Sequence, residues 1–357
     1  MRVAAYHRVA RGAARNPSEV MMAIDWKNLE FSYTPTTAHV MCEYRNGAWG
    51  ELRLETNPVI NLHIAASCLH YGQSCFEGLK AFQRKDGSIG VFRPQENARR
   101  MMLSAKRIVM EAPSVELFTQ AVLMAVRANK EFVPPYGTGA SLYVRPLLIG
   151  TTPRIGLKAA DDFTFLVMVT PVGPYYKNGF YPVKAVVEEE LDRAAPRGVG
   201  NVKVAGNYAA GLLGDVRSKA KGFPITLYLD SVEHSYIDEF GTSNFLGITK
   251  SGSYVTPESG SILPSITNSS LMEIASELGL RVERRRIHIG ELTEFAEVGA
   301  CGTAAVITPI YSVTHGSRVY TFGDEAQAGE ILTKLFTRIQ SIQYGESEDS
   351  YQWMVTV

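Results

Sequence analysis

The sequence predicts a mixed α/β fold, with α+β character, divided into two domains. Three observations carry that expectation. The chain has 357 residues, and domains run to roughly 100–200 residues each. Short apolar segments of strand length alternate with amphipathic segments of helix length. Near the middle, residues 171–182 (PVGPYYKNGFYP) concentrate Pro, Gly and Tyr, the composition of an inter-domain connection. The division is therefore residues 1–23 as an N-terminal extension, 24–174 as a smaller α/β domain, 175–182 as the linker and 183–357 as a larger α/β domain.

Residues 40–90 read as short strands and turns, because Asn46-Gly47 and Asp86-Gly87 are hairpin dipeptides. A helix is expected over 94–110, with Pro94 in its first turn and Met101, Ala105, Ile108 and Val109 on one stripe. A second helix, over 115–132, has Ser114 as its cap and Pro134-Pro135 as its stop. Strongly apolar strands follow at 141–149 and 163–170. Beyond the linker, strands are expected at 183–188, 225–230, 236–240, 244–250, 282–288 and 304–310, and helices at 207–220, 268–278 and 326–342. No internal repeat is visible.

Charge excludes one class of partner. Lys and Arg total 36 against 36 Asp and Glu, whereas nucleic-acid binding needs clustered basic charge. The single dense run, residues 281–286 (RVERRR), is short and contains Glu283, so no nucleic acid is expected. Neither is a membrane: the longest charge-free apolar stretches, 163–176 and 299–317, are interrupted by Pro and Gly or too short to span one. Cys42, Cys68, Cys75 and Cys301 show no metal-ligand spacing, so no metal is expected, and they read as small buried hydrophobes in a reducing compartment. The start of the chain carries Arg2, Arg8, Arg11 and Arg15 against Glu19 alone. That bias suits an organelle transit peptide. It equally suits a disordered extension or an upstream start, since Met21 and Met22 follow.

The chemistry-bearing candidates are four. Residues 198–208 (GVGNVKVAGNY) flank Lys203 with valines and glycines, a setting that would desolvate its amine and lower its pKa, as a Schiff-base lysine needs; a surface lysine on an alternating strand is the plain alternative. Glu239 lies among apolar residues in IDEFGTSNF, where a buried carboxylate would require a cation or donors; a solvated turn acid is the alternative. ILPSITN, at 262–268, opens a helix whose free N–H groups would suit an anion, unless Thr267 or Asn268 merely caps it. CGTAA, at 301–305, allows close backbone approach to a ligand, or is simply a buried strand. Nucleotide-loop, zinc-protease and serine-hydrolase motifs are missing from the sequence.

Taken together, His70–Phe82 (HYGQSCFEGLKAF), Phe92–Met101 (FRPQENARRM), Ser141–Gly150 (SLYVRPLLIG), Gly198–Tyr208 and Ile262–Thr267 (ILPSIT) resemble the branched-chain aminotransferases. These belong to the fold type IV, D-amino-acid-aminotransferase-like class of enzymes that use pyridoxal 5'-phosphate (PLP). The resemblance covers residues 25–351. It implies transamination of L-leucine, L-isoleucine and L-valine with 2-oxoglutarate, with small-molecule amino-acid and 2-oxo-acid partners and a homodimer. Lys203 would bind the cofactor covalently and move the substrate's proton. Tyr208 would meet the cofactor's 3'-oxygen and Glu239 its pyridine nitrogen. Arg100, the backbone of Ile266 and Thr267, and Thr303 would hold the phosphate, with Arg193 a lesser candidate there. Phe31, Tyr71, Phe76 and Tyr143 would wall the side-chain pocket, joined by Ile155 and Leu157 of a neighbouring subunit. Arg145 would take the γ-carboxylate of glutamate, and the backbone of Thr303 and Ala304 the α-carboxylate. Ala305 and Thr308 stand where some relatives carry a redox C-x-x-C, so no thiol switch is expected, and Ser265 replaces a frequent Gly. A D-amino-acid transaminase, an aminodeoxychorismate lyase or a catalytically silent interaction protein are the alternatives. The expected compartment is the cytoplasm, or a mitochondrion or plastid if the arginine-rich start is a transit peptide.

Overall fold

The structure, a computed structural model, describes residues 24–175 and 179–357. The N-terminal extension and residues 176–178 of the expected linker lie outside the described residues.

Two sheets organise the chain. The first is antiparallel in every pairing. It is built from β1 (His39–Arg45), β2 (Ala48–Trp49), β3 (Arg53–Glu55), β4 (Ser74–Phe76), β5 (Leu79–Gln83), β6 (Ile89–Phe92), β7 (Ser141–Gly150) and β8 (Phe163–Val172). The second, of mixed direction, contains β9 (Val183–Val187), β10 (Ile225–Leu229), β11 (Ile237–Phe240), β12 (Ser243–Thr249), β13 (Tyr254–Pro257), β14 (Val282–Arg285), β15 (Phe295–Gly302), β16 (Val306–His315) and β17 (Arg318–Thr321). A last strand, β18 (Met354–Thr356), returns to pair with β6 of the first sheet.

The hairpin dipeptides sit where sequence chemistry places them. Asn46 and Gly47, at φ of 53° and 83°, form the β1–β2 turn, and Gly87 at 84° turns β5 into β6. In the second sheet β11 pairs with both β10 and β12, so the path β11-β10-β9-β16-β15-β12 closes into a ring. Its interior is apolar, with Leu227, Phe240, Phe245, Phe295 and Val298 buried.

The helices cover these sheets. Among them are α1 (Ser67–Tyr71), α2 (Pro94–Arg107) and α3 (Val115–Arg127), followed by α4 (Ala205–Ala220), α5 (Ile266–Glu277) and α6 (Glu330–Gln343). Met101, Ala105, Phe118 and Val122 pack α2 and α3 onto the first sheet. Leu271, Ile274, Leu335 and Ile339 pack α5 and α6 beside Phe82 and Phe92, which knits the two halves together. No helix among the described residues is long and apolar enough to cross a membrane.

Several expected boundaries move. The 94–110 helix ends at Arg107, because Val109 takes a left-handed φ of 56° and its side chain is exposed rather than on the buried stripe. The 115–132 helix ends at Arg127: Asn129 turns its amide back onto the carbonyls of Ala38 and Ala125, and a 3-10 turn over Lys130–Phe132 replaces the last helical turn. The strand expected at 304–310 is β16, shifted to Val306–His315. Its hairpin partner β15, rich in Gly and Ala and so poor in strand propensity, has no counterpart among the expected elements. The helix expected from 326 starts at Glu330, where the N–H groups of Ile331 and Leu332 bond to the Glu297 carboxylate.

Candidate active site

The two sheets meet at a cavity of ≈650 Å³, walled by β4 and β7 on one side and by β12, β15 and the start of α4 on the other. Residues 202–204 show how the chain places a lysine there. Val202 and Val204 bury into the core of the first sheet, so the intervening side chain points the other way. The backbone is pinned on both sides, with Lys203 N–H donating to Ser104 Oγ at 2.9 Å and Phe76 N–H donating to the Lys203 carbonyl at 3.1 Å. Lys203 therefore opens into the cavity. Its Nζ donates to Tyr208 Oη at 2.7 Å and lies 4.9 Å from the centre of the Phe76 ring. Desolvation of the amine, helped by the Arg100 charge, lowers its pKa to about 8. Burial and the Glu239 carboxylate raise Tyr208 to about 12, so its hydroxyl stays protonated.

Arg100 lies on the buried face of α2. Its neighbour Arg99 is exposed and pairs with Glu96 on the same helix. Arg100 Nε and Nη2 bond the two oxygens of Glu77 at 2.8 and 2.7 Å, and Nη1 donates to the Pro264 carbonyl at 2.9 Å. A guanidinium has five N–H groups. Three are used here, which leaves one on each terminal nitrogen of a side chain that lines the cavity. Pro264 lies just before α5, whose first N–H groups have no partner within the helix. Ser265 caps α5, its Oγ accepting from Asn268 N–H at 3.1 Å. Arg100, Ser265 and Thr303 thus line the large cavity together, and Thr303 also lines, with Ile266 and Thr267, a small separate space of ≈20 Å³.

Glu239 pairs with Asn244 where the strand ring closes. It does not line the large cavity. It opens on an adjoining space of ≈30 Å³ that shares Tyr208, Asn244 and Leu263 with it. Arg193 Nη1 meets its Oε1 at 2.9 Å and Asn244 Nδ2 meets its Oε2 at 2.8 Å. Burial outweighs Arg193 and pushes the Glu239 carboxyl up to about 7. Arg193 is occupied by this carboxylate and by the Ser261 carbonyl, and it lines neither the large cavity nor the small space beside Thr267.

The apolar end of the cavity is a cluster of rings. Phe31 packs edge-on against Tyr143 at 5.2 Å and against Tyr175 at 5.3 Å. Arg145 lies over Phe76 at 4.7 Å and donates to Tyr143 Oη at 3.0 Å, while its buried Nε has no partner. Gly78 is required beside them, because a Cβ there would collide with the Tyr143 ring. Tyr71, expected in this wall, is absent from it. Helix α1 ends at Gly72 in a left-handed turn, and Tyr71 reaches outward to donate to the Ile155 carbonyl. Ile155 and Leu157 are 70% and 84% exposed and also stand outside this chain's cavity.

Two charged residues escaped the sequence reading. Glu77, with no exposed surface, is held by Arg100, by Asn97 Nδ2 at 2.8 Å and by Gly78 N–H at 3.3 Å. Lys80 Nζ donates to the Ala304 carbonyl at 2.7 Å. Both lie in the apolar segment FEGLKAF, and the reasoning applied to Glu239, that an acid among apolar residues must meet a cation, would have found Glu77 as well.

The model of the family "Amino-transferase class IV" matches residues 74–313. A "Branched-chain-amino-acid aminotransferase" of Haemophilus influenzae is 44% identical over 343 residues, spanning 94% of this chain and 100% of that protein. Among solved structures, the branched-chain amino acid aminotransferase of Escherichia coli superposes with a TM-score of 0.75 at 26% identity, covering 89% of this chain and 98% of that one. The enzyme of the same name from T.th., solved with pyridoxamine 5'-phosphate, gives a TM-score of 0.75 at 25% identity over 90% and 98% of the two chains.

Proposed function

Because the chain belongs to the class IV amino-transferase family, we propose that the cavity between its sheets is the transamination site and that Lys203 is its catalytic residue. The chain is an aminotransferase of branched-chain amino acids, and PLP is its cofactor. The observation that carries the site assignment is the Lys203 amine: lowered to about 8 and facing a space large enough for a second molecule.

The residues present fit this cofactor. The free N–H groups of Arg100, the start of α5 at Ile266 and Thr267, and Thr303 offer donors for a phosphate. Tyr208 offers a protonated hydroxyl. Glu239 offers a carboxylate that Arg193 and Asn244 hold in one orientation. When bound, PLP supplies the electron sink that stabilises charge at the substrate α-carbon. The chain does the rest. Lys203 holds and releases a proton at Nζ near neutral pH, work of a kind that contributes about 10²–10⁴-fold. Tyr208 Oη accepts from that amine and orients it. The Phe31, Phe76 and Tyr143 rings exclude water and offer apolar area to an alkyl side chain, at about 25 cal/mol per Å² buried. Arg145, with its Nε unpartnered, suits the second carboxylate of glutamate or 2-oxoglutarate. The Thr303 and Ala304 backbone suits the α-carboxylate. L-leucine, L-isoleucine and L-valine with 2-oxoglutarate are therefore the proposed substrates.

A homodimer follows from the same reading. Tyr71, Ile155 and Leu157 form an exposed group on one loop face, and we assign it to the pocket of a second copy. The cytoplasm is the proposed compartment, supported by the bacterial relative; entry of a reporter fused to residues 1–23 into a mitochondrion or plastid would replace it. The decisive measurement is the absorbance of the purified protein before and after L-leucine, paired with a panel of L- and D-amino acids. A spectral change with L-leucine and turnover with 2-oxoglutarate are expected. Turnover of D-alanine without L-leucine would overturn the reading.

A further inference from the structure

Lys80 leaves β5 of the first sheet and crosses to the second, where its Nζ meets the Ala304 carbonyl at 2.7 Å. Ala304 is the middle residue of the turn between β15 and β16, which closes with Gly302 opposite Val306. Val306 takes a left-handed φ of 65°. A β-branched side chain seldom tolerates that conformation, and such strain persists where neighbouring structure enforces it.

The direction of the Lys80 bond matters. In a trans peptide the carbonyl and the following N–H point opposite ways. With the Ala304 carbonyl aimed at Lys80, the Ala305 N–H points away from it. Ala304 and Ala305 line the large cavity. Lys80 does not, and opens instead on a separate space of ≈20 Å³ behind the turn, beside Thr267 and Thr303. The Ala305 N–H is therefore directed toward the cavity, with an ammonium group behind it.

We propose that Lys80 is a positioning residue for the substrate α-carboxylate: it holds the Thr303–Ala305 turn, which ends at the strained Val306, so that the Ala305 N–H faces the cavity, and it sets a positive charge behind that donor. This rests on the cavity being the amino-acid site. Lys80 acts through that turn from outside the large cavity. Its contribution is the orientation of a backbone donor and the field at that donor.

The test compares holoenzyme carrying Lys80→Met or Lys80→Arg with the native protein. Isocaproate, an unreactive branched carboxylate, is titrated calorimetrically alongside steady-state kinetics, thermal melting and cofactor absorbance. Native holoenzyme is titrated first: failure to bind isocaproate overturns the reading of the site, and the carboxylate role of Lys80 with it. If native protein binds, Lys80→Met is expected to keep its cofactor and raise the isocaproate Kd and the KM of both substrates by about tenfold, a loss of about 1.4 kcal/mol. The turnover number should change far less, and Lys80→Arg should recover most of the affinity. An unchanged Kd, an arginine variant no better than the methionine one, or a loss of cofactor in step with activity overturns the proposal. Should Lys80→Met fail to fold, Lys80→Gln keeps a donor but no charge, and an unchanged Kd there is equally fatal.

Discussion

Lys203 and Lys80 each have an amine that desolvation lowers to about 8, yet their surroundings differ. One faces ≈650 Å³ of space and a tyrosine hydroxyl. The other stands against a backbone carbonyl, beside a space that holds little more than a water molecule. A shifted pKa identifies a group removed from water and says nothing of whether a reactant can reach it. Access separates the lysine proposed as catalytic from the one proposed to position a backbone donor. The same contrast separates Arg100, drawn inward onto Glu77, from Arg99, one residue earlier and left in solvent.

The hardest test of this contrast is Lys203→Ala. It should abolish the borohydride-reducible chromophore and reduce turnover by at least about 10²–10⁴-fold, whereas Lys80→Met should keep the chromophore. A reducible adduct surviving in Lys203→Ala would exchange the roles of the two lysines. Next in size is Arg100→Ala, which leaves the Glu77 carboxylate buried without its cation at a cost of about 3–5 kcal/mol. Urea unfolding should show that loss, and Glu77→Leu combined with Arg100→Leu should restore much of it while cofactor retention stays poor. If the double variant retains cofactor normally, Arg100 has no part in phosphate binding.

Glu239 gives a test through pH. Its folded value of about 7 lies above the ordinary 4.5, so the folded protein holds a proton that the unfolded chain has released. The stability this contributes is complete below 4.5 and is lost as pH rises through about 7. Between those limits the melting temperature of the native protein should fall relative to that of Glu239→Gln, which cannot titrate. Parallel pH curves would mean that Arg193 holds the carboxylate fully ionised. The same variant should retain cofactor and lose turnover. Smallest of all, Arg99→Ala should alter stability by no more than about 0.5 kcal/mol and leave cofactor binding unchanged, as an exposed ion pair predicts.

Legibility in the sequence followed the range of the interactions. The valines around Lys203, the proline opening α2 and the Asn-Gly and Asp-Gly turns act through their neighbours, and periodicity or turn chemistry exposes them. Family resemblance reached further, to Arg100 in preference to Arg99 and to Tyr208. Partners that lie far apart in the sequence were not legible. Glu77 finds Arg100 on a separate helix, Lys80 finds a carbonyl 224 positions away, and Glu239 finds Arg193 rather than open cavity. Tyr71 shares its motif with residues that line this chain's cavity, yet it stands outside that cavity and donates to the Ile155 carbonyl.

Strand β18 bears on the order of events when the chain is made. Met354 lies beside Phe92, 262 positions earlier, so the edge of the first sheet stays unpaired until almost all of the sequence has emerged. Contacts of such long range form slowly, and an open edge is where strands of separate molecules join. During synthesis the nascent first half is therefore the aggregation-prone species, and a chaperone that shields β6 until Trp353 and Met354 arrive would raise the yield of folded protein more than one acting on the strand ring.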